Sequence, residues 1–88
     1  MNWTVEIKPS AEKQYLRLGN SARQRIKAAI RSLETSEHPL RHENVRALTG
    51  PLKGDYRLRV GDKRVLFTPN NESRILHVYA ILPRDKAY

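Results

Sequence analysis

Residues 56–67, YRLRVGDKRVLF, alternate along two short runs and reverse at Gly61-Asp62. No other feature limits the fold of the chain so tightly. Glycine in the first place of a two-residue loop suits a type II′ turn, which joins antiparallel neighbours. The loop also sets the register, because side chains repeat with a period of two. Val60 then stands opposite Lys63, Arg59 opposite Arg64, Leu58 opposite Val65 and Tyr56 opposite Phe67. Opposed residues share a face, so Tyr56, Leu58, Val65 and Phe67 make an apolar core side. Arg57, Arg59 and Arg64 fall together on the other side, beside Leu66.

Like charges directly opposite one another destabilise a sheet. No Asp or Glu is expected on that face of the hairpin to balance the three arginines. The cluster suits an anion, above all phosphate, which a guanidinium grips with two parallel hydrogen bonds. The plainer alternative is a solvated basic strand neutralised by carboxylates elsewhere. Composition leans the same way as the cluster: 17 Lys and Arg face 9 Asp and Glu, a formal charge of +8. That excess suits nucleic acid, a membrane surface or an acidic protein. No apolar run approaches the roughly 18 residues of a spanning helix, which argues against the membrane. MNWTVEIKPS lacks the apolar stretch of a signal peptide, so a cytoplasmic protein is expected. Cysteine is absent, which removes disulfides, a thiol nucleophile and Cys-ligated zinc.

The 88 residues suffice for one domain, 1–88, with a modest core. Trp3, Val5 and Ile7 alternate with polar neighbours and predict a half-buried strand. Ser10 is placed to cap a first helix with Ala11, Tyr15 and Leu18 on its inner face, ending at Gly19-Asn20. Ser21 and Gln24 have capping-box spacing for a second helix. Its apolar stripe is Ala22, Ile26, Ala29, Ile30 and Leu33, and Arg23, Lys27 and Arg31 form a basic row on another face. Residues 35–44 read as an irregular connection, and Val45–Leu48 as a brief edge strand. After the hairpin, residues 69–72 turn. Arg74–Leu82, apolar on both faces, belongs in the interior of the sheet. The order β-α-α-β-β-β makes the fold α+β: an N-terminal strand, a helical hairpin, then a three-stranded antiparallel meander, with the helices on one face.

Other seeds of chemistry are sparse. His38 and His42 flank Pro39 without ligand context and read as surface residues; His77, in an apolar strand, reads as a core histidine. No metal motif, phosphate loop or carboxylate pair stands out, so no metal or cofactor is expected. In the tail, Pro83 stiffens the strand exit and aims Arg84 and Tyr88 back at the sheet. An aromatic beside arginines suits single-stranded nucleic acid: stacking for a base and charge for its phosphate.

LTGPLKGDYRLRVGDKRVLF and the closing LPRDKAY, with the element order and basicity, resemble the RelE toxins of the RelE/ParE superfamily of toxin–antitoxin systems. RelE-type nucleases end with an arginine followed a few residues later by a tyrosine, as Arg84 and Tyr88 do. Leu82-Pro83 stands where many relatives carry Gly-His, as in some archaeal-type members. The resemblance implies a metal-free endoribonuclease that enters the ribosomal A site and cuts mRNA. The 2′-hydroxyl attacks the neighbouring phosphate, leaving a 2′,3′-cyclic phosphate and a 5′-hydroxyl. It implies catalytic roles for Arg59, Arg64, Arg84 and Tyr88. Arg57, Arg59, Arg64 and Lys53 would hold the RNA, and Arg23, Lys27 and Arg31 would grip ribosomal RNA. A RelB-like antitoxin would neutralise the toxin, with DNA contacted only through that complex. The alternative in the same superfamily is a ParE-like inhibitor of DNA gyrase without nuclease activity.

Overall fold

Strand β4 (Lys63–Asn70) is the middle of the sheet, and it is where the hairpin parity takes effect. The structure, a computed structural model, describes residues 3–87. Its partner across the Gly61-Asp62 turn is β3 (Tyr56–Val60). The pairs are Tyr56–Phe67, Arg57–Leu66, Leu58–Val65, Arg59–Arg64 and Val60–Lys63, as the alternation predicts. Gly61 has φ +61° while Asp62 stays at negative φ, the signs of a type II′ turn. A side chain at that φ is strained, so glycine is required there.

The described residues form five strands in the order β1-β5-β4-β3-β2. β1 (Thr4–Ile7) runs parallel to β5 (Ile75–Pro83), and the other pairs are antiparallel. β2 (Val45–Ala47) is the expected edge strand, its Val45 and Ala47 paired with Leu58 and Tyr56. β5 lies between β1 and β4, the interior place its double-sided apolarity predicts. β4 continues three residues past Phe67 to Asn70, so the second turn starts later than expected. There Asn70 Oδ1 accepts hydrogen bonds from the Glu72 and Ser73 amides.

Helix α1 (Pro9–Leu16) and helix α2 (Asn20–Glu34) pack on one face. Ala11, Ile26 and Leu33 meet Leu58, Val65, Phe67, Leu76, Val78 and Ile81 in the main core. The helix ends differ from expectation. Pro9 takes the first helical position, where its missing N–H is not needed. Ser10 therefore lies inside the helix, and its hydroxyl donates to the Tyr79 carbonyl at 2.8 Å. Helix α1 stops at Leu16 with Arg17 still right-handed. Gly19 is extended, not left-handed, and serves as N-cap of α2. The helix thus begins at Asn20, one residue before Ser21, and the Ser21–Gln24 capping box does not form.

One irregularity decides what the far face carries. Leu66 pairs with Ala80 but Phe67 with Val78, so Tyr79 is an extra residue in β5. Such a bulge shifts the parity of a strand. Leu76 and Val78 face the core before it and Ile81 after it. Ala80 and Leu82, which plain alternation would send to the core, instead join Leu66 and Arg64 on the far face.

Candidate functional site

That far face is the arginine face. Two rows cross it. Arg46 of β2, Arg57 of β3, Leu66 of β4 and Ala80 of β5 form one; Arg59, Arg64 and Leu82 form the next, nearer the turn. Arg46 opposite Arg57 is a second like-charged pair, missed in the sequence although the alternation of VRAL around Val45 already assigns its side. A small apolar cluster of Leu48, Leu66 and Ala80, flanked by Leu52, Tyr79 and Leu82, floors the face.

Arg64 is the most enclosed of the set, only 8% exposed. Its Nη1 donates to the carbonyls of Gly61 at 2.9 Å and Lys63 at 2.8 Å, clamping the turn. Arg59, directly opposite, is exposed. Arg46 turns its Nη1 onto the Glu43 and Val45 carbonyls. Among the described residues the ion pairs are Lys8–Glu6 and His77–Glu6, so no carboxylate lies within 4 Å of Arg57, Arg59 or Arg64. A buried cation without a counter-ion is costly. Among the described residues no carboxylate pairs with these three arginines, while Arg59 is open to solvent.

One expectation needs correction. Asp55 does reach this face, because it precedes β3 by one residue and shares the parity of Arg57 and Arg59. Neutral donors occupy it: Thr68 Oγ1 at 2.8 Å and the Tyr79 hydroxyl at 2.7 Å. Burial first, and then the hydrogen bond and charge of Asp55, push the Tyr79 phenol above its ordinary pKa. Tyr79 is therefore held protonated as a donor that ties the start of β3 to β5. Tyr79→Phe should lower stability by about 1–2 kcal/mol. Because the folded-state pKa is raised, the phenol's contribution is complete below about pH 10 and is lost as pH rises beyond it. Unfolding free energies measured at rising alkaline pH should fall more steeply for the native chain than for Tyr79→Phe.

The tail meets the hairpin at its turn. The Arg84 amide donates to the Asp62 carbonyl at 2.9 Å, and residues 84–86 form a single 3₁₀ turn. Arg84 thus starts beside the carbonyls that Arg64 clamps, and it is exposed. The role expected of Tyr88 lies outside the described residues. Lys53 ends a 3₁₀ turn, Gly50–Leu52, and is exposed. Its loop borders a cleft of about 210 Å³ between Arg46, Leu48, Leu52 and Arg57.

The helical basic row does not join this face. Lys27 and Arg31 rim a groove of about 510 Å³ on the helix side, floored by Val5, Ile7, Tyr15 and Ile30. Arg23 is half-buried, and its carbonyl accepts from the Tyr15 hydroxyl at 3.3 Å. The histidines also fall out differently. His42 is half-buried: its Nδ1 accepts from the Asn44 amide at 3.1 Å, which leaves Nε2–H to donate to Ser32 Oγ at 3.2 Å. His77 lies on the far face, not in the core, with Nδ1 3.0 Å from Glu6 Oε1. Lys8 first, and then His77, hold the Glu6 carboxyl below its ordinary pKa. Among the described residues, no three His, Cys, Asp or Glu side chains come together to hold a metal ion. No helix among them is long and apolar enough to cross a membrane.

Two helices on one face of a mixed five-stranded sheet, with arginines on the other, define a RelE-type toxin fold. The family model of the ParE toxin of type II toxin–antitoxin system, parDE, matches residues 5–88. The chain belongs to that family and is a toxin of a type II toxin–antitoxin system within the RelE/ParE superfamily. Among solved structures it is similar to the archaeal RelE–RelB complex from Pyrococcus horikoshii OT3. The identity there is 27%, over 99% of this chain and 100% of that one, with a TM-score of 0.79. A variant of E. coli RelE in the free state matches at 21% identity, over 99% of this chain and 88% of that one, TM-score 0.76. The YoeB/ParE toxin from Agrobacterium tumefaciens matches at 16%, over 91% and 96%, TM-score 0.75. No curated protein matches the chain significantly in sequence.

Proposed function

We propose that this toxin is a ribosome-dependent mRNA endoribonuclease and that its arginine face holds the scissile phosphate. The observation that carries the reading is Arg64: almost fully enclosed, directly opposite Arg59, and without a carboxylate among the described residues. In the reaction, the substrate's 2′-oxygen bonds to phosphorus and the 5′-oxygen leaves. The 2′-hydroxyl proton passes to a base, and the 5′-oxygen takes up a proton. Arg57, Arg59 and Arg64 neutralise the charge that gathers on the phosphorane, and Arg84 stands at the leaving-group side. Guanidinium groups do not accept protons near neutral pH. Tyr79 keeps its own proton; by the resemblance to RelE-type nucleases, Tyr88 takes the base stacking and proton transfer. Lys53 extends the RNA track, and Arg23, Lys27 and Arg31 serve the ribosome from the helix side.

The solved relatives from Pyrococcus horikoshii and from Methanococcus jannaschii are complexes of RelE with RelB. By that likeness, a RelB-like antitoxin neutralises this toxin in the cytoplasm. The family model bears the ParE name, which favours a second reading: a gyrase inhibitor that cuts no RNA. Brief expression followed by mapping of 5′ ends separates the two. Codon-phased cuts confined to translated messages support the nuclease. Intact messages with altered DNA supercoiling support the gyrase inhibitor.

A further inference from the structure

Arg25 of α2 is outside the basic row of that helix, yet it ends at the hairpin turn. A Cβ built on Gly61 would lie 2.7 Å from Arg25 Nη2, 3.0 Å from Nη1 and 3.1 Å from Cζ. The guanidinium thus fills the space that a side chain at this glycine would need. A glycine carbon accepts no hydrogen bond, so this contact uses none of the five guanidinium donors. Among the described residues no carboxylate comes within 4 Å of Arg25, and its side chain makes no hydrogen bond.

Other groups of the same turn are already engaged. Arg64 Nη1 donates to the Gly61 carbonyl, and the Arg84 amide donates to the Asp62 carbonyl. Segments far apart in sequence thus deliver the guanidinium groups of Arg25 and Arg64, and the backbone of Arg84, to one two-residue loop. A purely structural contact at this loop would not need a second guanidinium beside that of Arg64. An uncharged side chain would cover the glycine without adding repulsion.

We propose that Arg25 is an RNA-phosphate ligand, carried by α2 to the hairpin tip, which extends the binding track from the sheet face around the turn. The residue would hold a backbone phosphate next to the one at Arg59 and Arg64, without regard to base identity. This rests on the reading of the arginine face as an RNA site.

The test is fluorescence anisotropy of a short, labelled, 2′-O-methylated single-stranded RNA at several salt concentrations. The full chain is compared with Arg25→Ala, Arg25→Lys and Arg74→Ala. Arg74 lies at the opposite end of β4, in the β4–β5 turn, and controls for loss of one bulk charge. Arg25→Ala should weaken binding and reduce the salt slope of log K by about 0.7, one single-strand phosphate contact. Arg25→Lys should regain most of the slope, and Arg74→Ala should leave it unchanged. A melting curve for each variant separates lost contacts from lost folding, and Arg25→Lys keeps the test open if the alanine variant unfolds. If the native chain binds RNA and Arg25→Ala binds with the same slope, the assignment of Arg25 is wrong while the arginine face stands. If the native chain shows no salt-dependent RNA binding, both fall.

Discussion

Arg59→Ala should lose about 100-fold or more of message cleavage while melting at the same temperature as the native chain or slightly above it. Groups that neutralise developing charge in a transition state are worth roughly that much. Arg59 makes no hydrogen bond or ion pair with its side chain among the described residues, and it stands directly opposite Arg64. Removing it relieves a like-charge pair, worth up to about 1 kcal/mol. Arg64→Ala should lose cleavage equally but also stability, because its Nη1 holds the Gly61 and Lys63 carbonyls. The loss should be about 1–3 kcal/mol, or a fall of roughly 5–20 °C in Tm for a domain of this size. A translation mixture programmed with one message, scored for cleavage, and thermal melts of the same preparations supply both numbers. Full cleavage by Arg59→Ala would remove that residue from the site. Opposite signs of activity and stability at one position mark a residue kept for function.

Phe67→Ala should be the most damaging core change, costing about 3–5 kcal/mol. Phe67 is fully buried in the central strand and stacks on Tyr56 with ring centroids 6.0 Å apart. It touches the layer where both helices meet the sheet, so its removal leaves a void shared by several elements. Against a total stability of about 5–15 kcal/mol for ordinary domains, the loss is a large fraction. Urea titration should show the midpoint falling steeply, or no cooperative transition at all. Phe67→Leu, which keeps most of the volume, should cost far less. A midpoint for Phe67→Ala close to that of the native chain would mean that the core lies elsewhere.

The hairpin was legible because a two-residue loop leaves no freedom of register: one glycine assigns ten side chains to their faces. The interior place of β5 and the brief edge strand β2 followed from apolarity in the same way. The bulge was not legible. Val78, Tyr79 and Ala80 are all apolar or aromatic, so adding one residue changes no pattern that alternation can detect. Yet the bulge places Leu82 opposite Arg64 and positions the tail. Asp55 was missed because it lies one residue outside the paired run, although its parity already placed it beside Arg57. Arg25 was missed because a row read at i, i+4 spacing ignores a cation pointing elsewhere, and only tertiary packing brings the turn to it. The helix caps were misread for a local reason. Pro9 and Gly19 satisfy the helix starts through backbone geometry, which left the Ser10 and Ser21 hydroxyls unused as caps.

The central claim is that the guanidinium groups on the far face of the sheet, not the helical row of Arg23, Lys27 and Arg31, receive the RNA backbone. The most direct measurement is an NMR titration of arginine side-chain N–H signals with a short, non-cleavable RNA. The account predicts saturable shifts for Arg57, Arg59 and Arg64, with Arg23 and Arg31 unmoved. Shifts confined to Arg23 and Arg31, with the sheet arginines silent, would contradict it.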